Sequence, residues 1–84
     1  MSELALIIED DEDLCDIFAE ALRSVGFEVQ ALPDGQVAQD RLKNGTVPFL
    51  ILLDMHIPHI SGADLLTNII KKDERLAKTI GVTD

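Results

Sequence analysis

The fold follows from one stretch of the chain, residues 4–11 with the sequence LALIIEDD, in which five apolar residues run directly into three acids. A second stretch, residues 49–54 with the sequence FLILLD, repeats this design and also stops at an acid. Apolar runs without alternation are typical of strands covered on both faces, as in a parallel sheet. The two stretches therefore predict two buried strands of a parallel sheet.

Between these strands the apolar residues follow a helical period. One predicted helical face consists of the apolar residues Leu14, Ile17, Phe18, Ala21, Leu22 and Val25. Asp11 or Asp13 can cap the start of this helix, and Gly26 supplies its end.

The rest of the chain continues the alternation of strands and helices. Residues 27–31 alternate with period two and predict an edge strand, and the next helix carries Val37, Ala38 and Leu42. Ser61 with Asp64 resembles a capping box at the start of a third helix, whose apolar residues are Leu65, Leu66, Ile69 and Ile70. Residues 79–83 predict a fourth, weaker strand, and Phe18, Phe27 and Phe49 are expected in the core. The order β-α-β-α-β-α-β predicts one α/β domain over residues 1–84, with a parallel sheet and right-handed crossovers.

Composition and charge exclude several classes of function. The 84 residues are 46% hydrophobic and carry a formal net charge of −9. This charge argues against nucleic acid and anionic membranes as direct partners, because both require clustered cations. No apolar run approaches the roughly 20 residues of a membrane span, and the single cysteine, Cys15, excludes an internal disulfide. We expect a cytoplasmic protein.

The chemistry is expected at the carboxyl edge of the sheet, where ligands bind in open parallel sheets. The first strand brings Glu9 and Asp10 to that edge, the third brings Asp54, and the fourth brings Thr83. Neighbouring carboxylates repel one another, and Mg²⁺ suits a site of a few carboxylates, a backbone oxygen and waters. A carboxylate beside Mg²⁺ is also a recognised nucleophile toward phosphoryl groups, so Asp54 is a candidate phosphoacceptor and Thr83 a candidate donor to a phosphoryl oxygen. The acids at 11, 12, 13, 16 and 20 are expected to be a solvated helix start.

Together these motifs resemble the receiver domain of two-component response regulators, of which the chemotaxis regulators are examples. An acid pair ends the first strand, and a lone Asp54 ends the third, with Pro58 four residues later and Gly62 eight residues later. Thr83 lies 29 residues beyond Asp54, where the family keeps a Thr or Ser. The resemblance covers the whole chain and implies a flavodoxin-like, three-layer α/β/α fold with strand order 2-1-3-4.

The resemblance also implies roles for the residues. Asp54 would accept a phosphoryl group from a histidine kinase or a phosphotransfer protein, and Thr83 would be the switch residue. Mg²⁺ would be held by Asp10 directly, by Glu9 closely or through water, by Asp54, and by the backbone carbonyl of His56. The chain would be a signalling module and not an enzyme.

The chain departs from the family pattern after its fourth strand. Helix four, strand five and helix five have no counterpart here, and neither does the lysine that ends strand five. Asp84 stands where the family prefers a small residue. We expect a naturally short chain that completes itself by pairing with a second copy or another protein at its fourth strand, in the simplest case antiparallel to its mate. The alternative function is a degenerate receiver that binds or dimerises without phosphorylation.

Three other interpretations are weaker. His56 and His59 are three residues apart, as in some zinc sites, but they fall in a loop that we expect to be exposed. Cys15 is expected to be a packed side chain and not a redox centre. A haloacid-type phosphatase would need a second Asp two residues after the nucleophile, where this chain has His56.

Overall fold

The computed structural model describes residues 3–76 and 80–83 of the chain. Four strands alternate with three helical segments in the predicted order. Their bounds are β1 (Leu4–Ile8), α1 (Glu12–Ser24), β2 (Glu28–Leu32), α2 (Gly35–Lys43), β3 (Leu50–Asp54), α3 (Gly62–Leu65, continued by a π-helical turn over Leu66–Ile70) and β4 (Ile80–Thr83). Residue 79, predicted as the start of the fourth strand, lies outside the described residues.

The four strands form one parallel sheet in the order β2-β1-β3-β4, as predicted. Ile8 pairs with Leu32 on one side and with Leu53 on the other, and Asp54 pairs with Thr83. This register aligns the carboxyl ends of the four strands at one edge. The predicted flavodoxin-like architecture is confirmed.

The main core lies between the sheet and α2 and α3. Leu6 and Ile8 of β1 and Ile51 and Leu53 of β3 alternate onto this face, and all four are fully buried. The helices contribute other buried members of the same cluster, namely Ala38, Leu42, Leu65 and Ile70. The side chain of Ile69, predicted for this face, lies outside the described part of the structure.

Helix α1 covers the opposite face of the sheet, and only part of its predicted apolar face is covered there, since Phe18 and Leu22 are half-buried and the other members are exposed. Ala19 is the most buried residue of the helix, whereas Ile17 is 60% exposed and Val25 is 73% exposed. Leu14 and Ala21, from the same predicted face, are also exposed. The reason is that α1 packs mainly on β1 and β2, so only the side of its apolar stripe toward those strands is covered. We call the uncovered side, residues Leu14, Ile17 and Ala21, the α1 flank.

One aromatic prediction fails. Phe18 and Phe27 are half-buried, but Phe49 is 53% exposed. Its ring centroid lies 5.8 Å from that of Phe27, so the two rings pack on each other at the amino-terminal edge of the sheet. Phe49 precedes β3 and therefore stays outside the core of that strand.

The predicted caps are confirmed. Asp11 Oδ1 accepts hydrogen bonds from the amides of Asp13 and Leu14 at the start of α1, at 3.0 and 3.2 Å. Ser61 Oγ accepts from the amide of Asp64 at the start of α3. Within the described residues, no helix combines the length and the apolar character that crossing a membrane requires.

Candidate functional site

Three carboxylates from two neighbouring strand ends converge at the carboxyl edge of the sheet. One oxygen from each of Glu9, Asp10 and Asp54 lies within 4.8 Å of the others. The cause is local: β1 and β3 are adjacent and in register, and each apolar run ends in acid. Neither of the two ion pairs found among the described residues involves these groups. The predicted acidic site therefore exists as a geometric cluster without a basic partner among those residues.

Asp54 is held in place by the backbone of the loop that follows it. Its side chain is 5% exposed, and its Oδ1 accepts a hydrogen bond from the amide of His56 at 2.9 Å. Gly62 packs directly against the backbone of Asp54 and Met55, where a β-carbon would overlap the Asp54 carbonyl oxygen. This close approach explains why glycine is needed eight residues after Asp54.

The surroundings of Glu9 disfavour the ionised form of its carboxyl group. It is 6% exposed, and its Oε2 has no hydrogen-bond partner among the described residues. Burial first, and then the neighbouring Asp54 carboxyl group, raises the pKa of Glu9 from 4.5 to about 7. A proton on Glu9 would let it bond to Asp54, whereas two ionised carboxylates cannot bond to each other. The buried oxygen thus needs either a proton or a cation.

A divalent cation fits this donor set. Hard cations such as Mg²⁺ prefer carboxylate and carbonyl oxygens and usually retain several waters. Glu9 supplies a buried, unpaired oxygen, and Asp10 is exposed beside it, so part of the coordination shell can remain water. The orphaned oxygen is the observation that supports a cation here, because an unpaired buried carboxylate is costly.

The remaining acids of the segment behave as a solvated helix start, as expected. Asp11 caps α1, and Glu12, Asp13, Asp16 and Glu20 are exposed.

Cys15 is half-buried beside these acids. Burial first, and then Asp16 and Glu9, raises the pKa of its thiol. An open cleft of about 490 Å³ runs from Glu9 and Asp10 past Cys15 toward Pro33. A thiol with a raised pKa is a poor nucleophile, which agrees with a packed cysteine.

The residues predicted at the rim of the site have different outcomes. The amide of His56 contacts Asp54, while its side chain is exposed. The backbone of Thr83 pairs opposite Asp54, but its side chain and Asp84 lie outside the described part of the chain. His56 and His59 belong to no metal-binding cluster among the described residues.

One feature of the surroundings was not predicted. Asp34 and Gly35, at the start of α2, contact the loop after Asp54. Asp34 Oδ2 lies 3.7 Å from His59 Nδ1, and the Gly35 amide donates to the Pro58 carbonyl at 2.9 Å. The sequence offers a signal for the turn in Pro33-Asp34-Gly35, but none for its contact with a loop more than twenty residues away.

Comparisons with known proteins agree with this geometry. The family model of the response regulator receiver domain matches residues 5–84. A Bacillus subtilis protein named as an uncharacterized transcriptional regulatory protein, YrkP, is 38% identical over 71 residues, which are 84% of this chain and 30% of that protein. The two-component response regulator-like protein APRR5 of Arabidopsis thaliana is 39% identical over 69 residues, 81% of this chain and 12% of that protein. The chain thus spans less than a third of either relative.

Solved structures show the same fold. The bacteriophytochrome response regulator AtBRR superposes with a TM-score of 0.83 at 24% identity, covering 98% of this chain and 66% of that one. The Thermotoga maritima response regulator TrrA, solved in complex with Mg(2+)-BeF, superposes with a TM-score of 0.79 at 25% identity, covering 95% of this chain and 65% of that one.

Proposed function

The chain belongs to the response regulator receiver family, and on that premise we propose that it is a phosphoacceptor in two-component signalling and not an enzyme. Asp54 takes the phosphoryl group from a phosphohistidine of a histidine kinase or a phosphotransfer protein. The observation that carries the proposal is the unpaired, buried oxygen of Glu9 next to the backbone-anchored Asp54. With a histidine kinase or a phosphotransfer protein as the phosphoryl donor, we propose that the chain acts in the cytoplasm.

We assign Mg²⁺ as the cofactor, which Glu9, Asp10, Asp54 and the backbone carbonyl of His56 would hold. When bound, the cation offsets the negative charge of the carboxylates and of the incoming phosphoryl oxygens. Support comes from the three converging carboxylates and from the Mg(2+)-BeF complex of the related Thermotoga protein.

The transfer requires little from the chain beyond position. Because Asp54 Oδ1 already accepts from the amide of His56, we assign the attack to Oδ2. The Oδ2–phosphorus bond forms as the phosphorus–nitrogen bond of the donor breaks, and the freed imidazole retains the electron pair of that bond. The hydroxyl of Thr83, whose backbone pairs with that of Asp54, donates to a phosphoryl oxygen as the switch residue.

Intact mass tests this function. Incubation with Mg²⁺ and acetyl phosphate is expected to add one phosphoryl group to the chain and none to Asp54→Asn. Asp64→Asn, which removes an exposed acid of α3, is the matched control and should still be modified. Chelation of Mg²⁺ should suppress the adduct in every variant. Absence of an adduct on a chain that still binds Mg²⁺ would contradict phosphoacceptance.

A second candidate function is a receiver that binds partners without phosphorylation. The exposed α1 flank favours it, together with β4, which has a strand on only one side within the described sheet. We propose that a second copy, or another protein, covers that edge. The net charge of −9 disfavours nucleic acid as the partner, and no membrane association is proposed. If association persists unchanged in Asp54→Asn while no adduct forms on the parent chain, this second function is the better account.

A further inference from the structure

The loop between Asp54 and α3, residues 55–61, is tied to the acidic site at one end. The His56 amide donates to Asp54 Oδ1, and the Gly62 amide donates to the Met55 carbonyl at 3.2 Å. Any change at the Asp54 carboxylate therefore acts directly on the backbone at the start of this loop.

The other half of the same loop is tied to the first turn of α2. The Gly35 amide donates to the Pro58 carbonyl at 2.9 Å. Gly35 is buried, and a β-carbon there would overlap the Ile60 carbonyl oxygen. Because backbone packs on backbone without an intervening side chain, the loop and the helix start cannot move independently.

A contact between two side chains lies at the same junction. Asp34 Oδ2 lies 3.7 Å from His59 Nδ1, while Asp34 Oδ1 caps α2 by accepting from the Val37 amide at 2.9 Å. His59 has a φ of 70°, a left-handed conformation that no other described non-glycine residue adopts. That conformation is unfavourable for a residue other than glycine, so surrounding contacts must hold it.

We propose that Asp34, Gly35 and His59 are positioning residues that couple the acidic site to α2. They hold the loop that presents the His56 amide to Asp54, and a ligand at Asp54 in turn changes the stability of the first turn of α2. The inference rests on the proposed function, because it needs a ligand at Asp54. Coupling of this kind is reciprocal, so variants at the junction also weaken that ligand.

Amide hydrogen exchange of the whole chain, with and without Mg²⁺ and beryllofluoride, tests the coupling. In the parent chain we expect exchange of the amides at residues 36–38 to slow about fivefold on binding, the lower end of site-to-site couplings. His59→Asn suits the left-handed backbone but removes the imidazole, and Asp34→Asn keeps the cap but removes the charge. Either variant should lose at least half of the effect. Asp40→Asn, which removes an exposed carboxylate from the same helix, should retain it.

Fluorine NMR of bound beryllofluoride separates the two ways in which this test can fail. If beryllofluoride binds and the amides of residues 55–56 respond, but α2 does not, or if the junction variants behave like the parent chain, the coupling is wrong and the proposed function stands. If no beryllofluoride binds to the folded parent chain in Mg²⁺, the proposed function and the coupling both fail. Binding with a response in α2 that both junction variants reduce supports the inference.

Discussion

At the scale of single residues, the carboxyl group of Glu9 determines how the chain responds to pH and cations. Its pKa in the folded chain is raised from 4.5 to about 7, mainly by burial. Between these two values the folded chain holds a proton that the unfolded chain has lost. The contribution of Glu9 to stability therefore falls as the pH rises through this window, in the absence of a divalent cation.

We expect Glu9→Gln to be more stable than the parent chain at pH 8 in a chelator, and the advantage to shrink at pH 5. The shift corresponds to at most about 3 kcal/mol, and relaxation around the charge will reduce this value. Urea unfolding at the two pH values measures the difference. Mg²⁺ should stabilise the parent chain at pH 8 but not the variant. Glu20→Gln, at an exposed position of α1, is the control, and an equal effect there would contradict the assignment to Glu9.

The convergence of these carboxylates could be predicted from sequence because it needs only strand ends and the neighbouring positions of β1 and β3, which the strand order implied by the resemblance supplies. Two apolar runs that stop at acids place those acids at the same edge, whatever the details of packing. The contact of Asp34 with His59 could not be predicted in this way. It depends on the path of a loop and on a left-handed residue, and neither leaves a periodic pattern in the sequence.

At the scale of elements, α1 shows where a periodic pattern stops being informative. Helical spacing identified an apolar stripe correctly, but the stripe does not coincide with the side of the helix that packs on β1 and β2, because the most buried residue, Ala19, is not part of it. The helix turns Ala19 toward the sheet and leaves Ile17 outward. Which part of the stripe is buried depends on neighbouring elements, and a pattern within one helix contains no information about them.

This orientation predicts unequal costs for two isoleucines on the same side of the sheet. Ile7→Ala should lower the free energy of unfolding by about 2–5 kcal/mol, as is typical when a core isoleucine is truncated, because Ile7 is 1% exposed. Ile17→Ala should cost less than about 0.5 kcal/mol, as at ordinary surface positions. Urea unfolding at low protein concentration, where association is negligible, compares the two. Similar costs would mean that Ile17 is covered in the folded chain.

At the scale of the whole molecule, apolar exposure and net charge act against each other. The α1 flank and β4, where Val82 is 53% exposed, favour contact with another polypeptide. The formal charge of −9 on a chain of 84 residues repels a second copy. The order of strands and helices was predictable from sequence, whereas the size of the uncovered surface follows from the packing of α1 and needed the structure.

The proposed self-association should therefore strengthen with salt. At an ionic strength of about 1 M the screening length falls to about 3 Å, against about 10 Å at 0.1 M, so repulsion between copies is largely removed. Sedimentation at increasing protein concentration should show a lower dissociation constant in high salt. Ile17→Ser should weaken association if the α1 flank takes part. A chain that stays monomeric at high micromolar concentration in both salts would contradict pairing.

The two edges of the sheet differ in a way that limits how copies can join. Along β2, Glu28 and Gln30 are exposed, and the Arg41 side chain bonds to Gln30 across the edge. An edge protected by charged and polar groups resists the addition of a strand. Joining two copies through β4 would thus consume the open edge of each and leave only protected edges outside. Assembly would therefore end at a dimer. A fibre would require another strand to add to β2, which Glu28, Gln30 and Arg41 oppose.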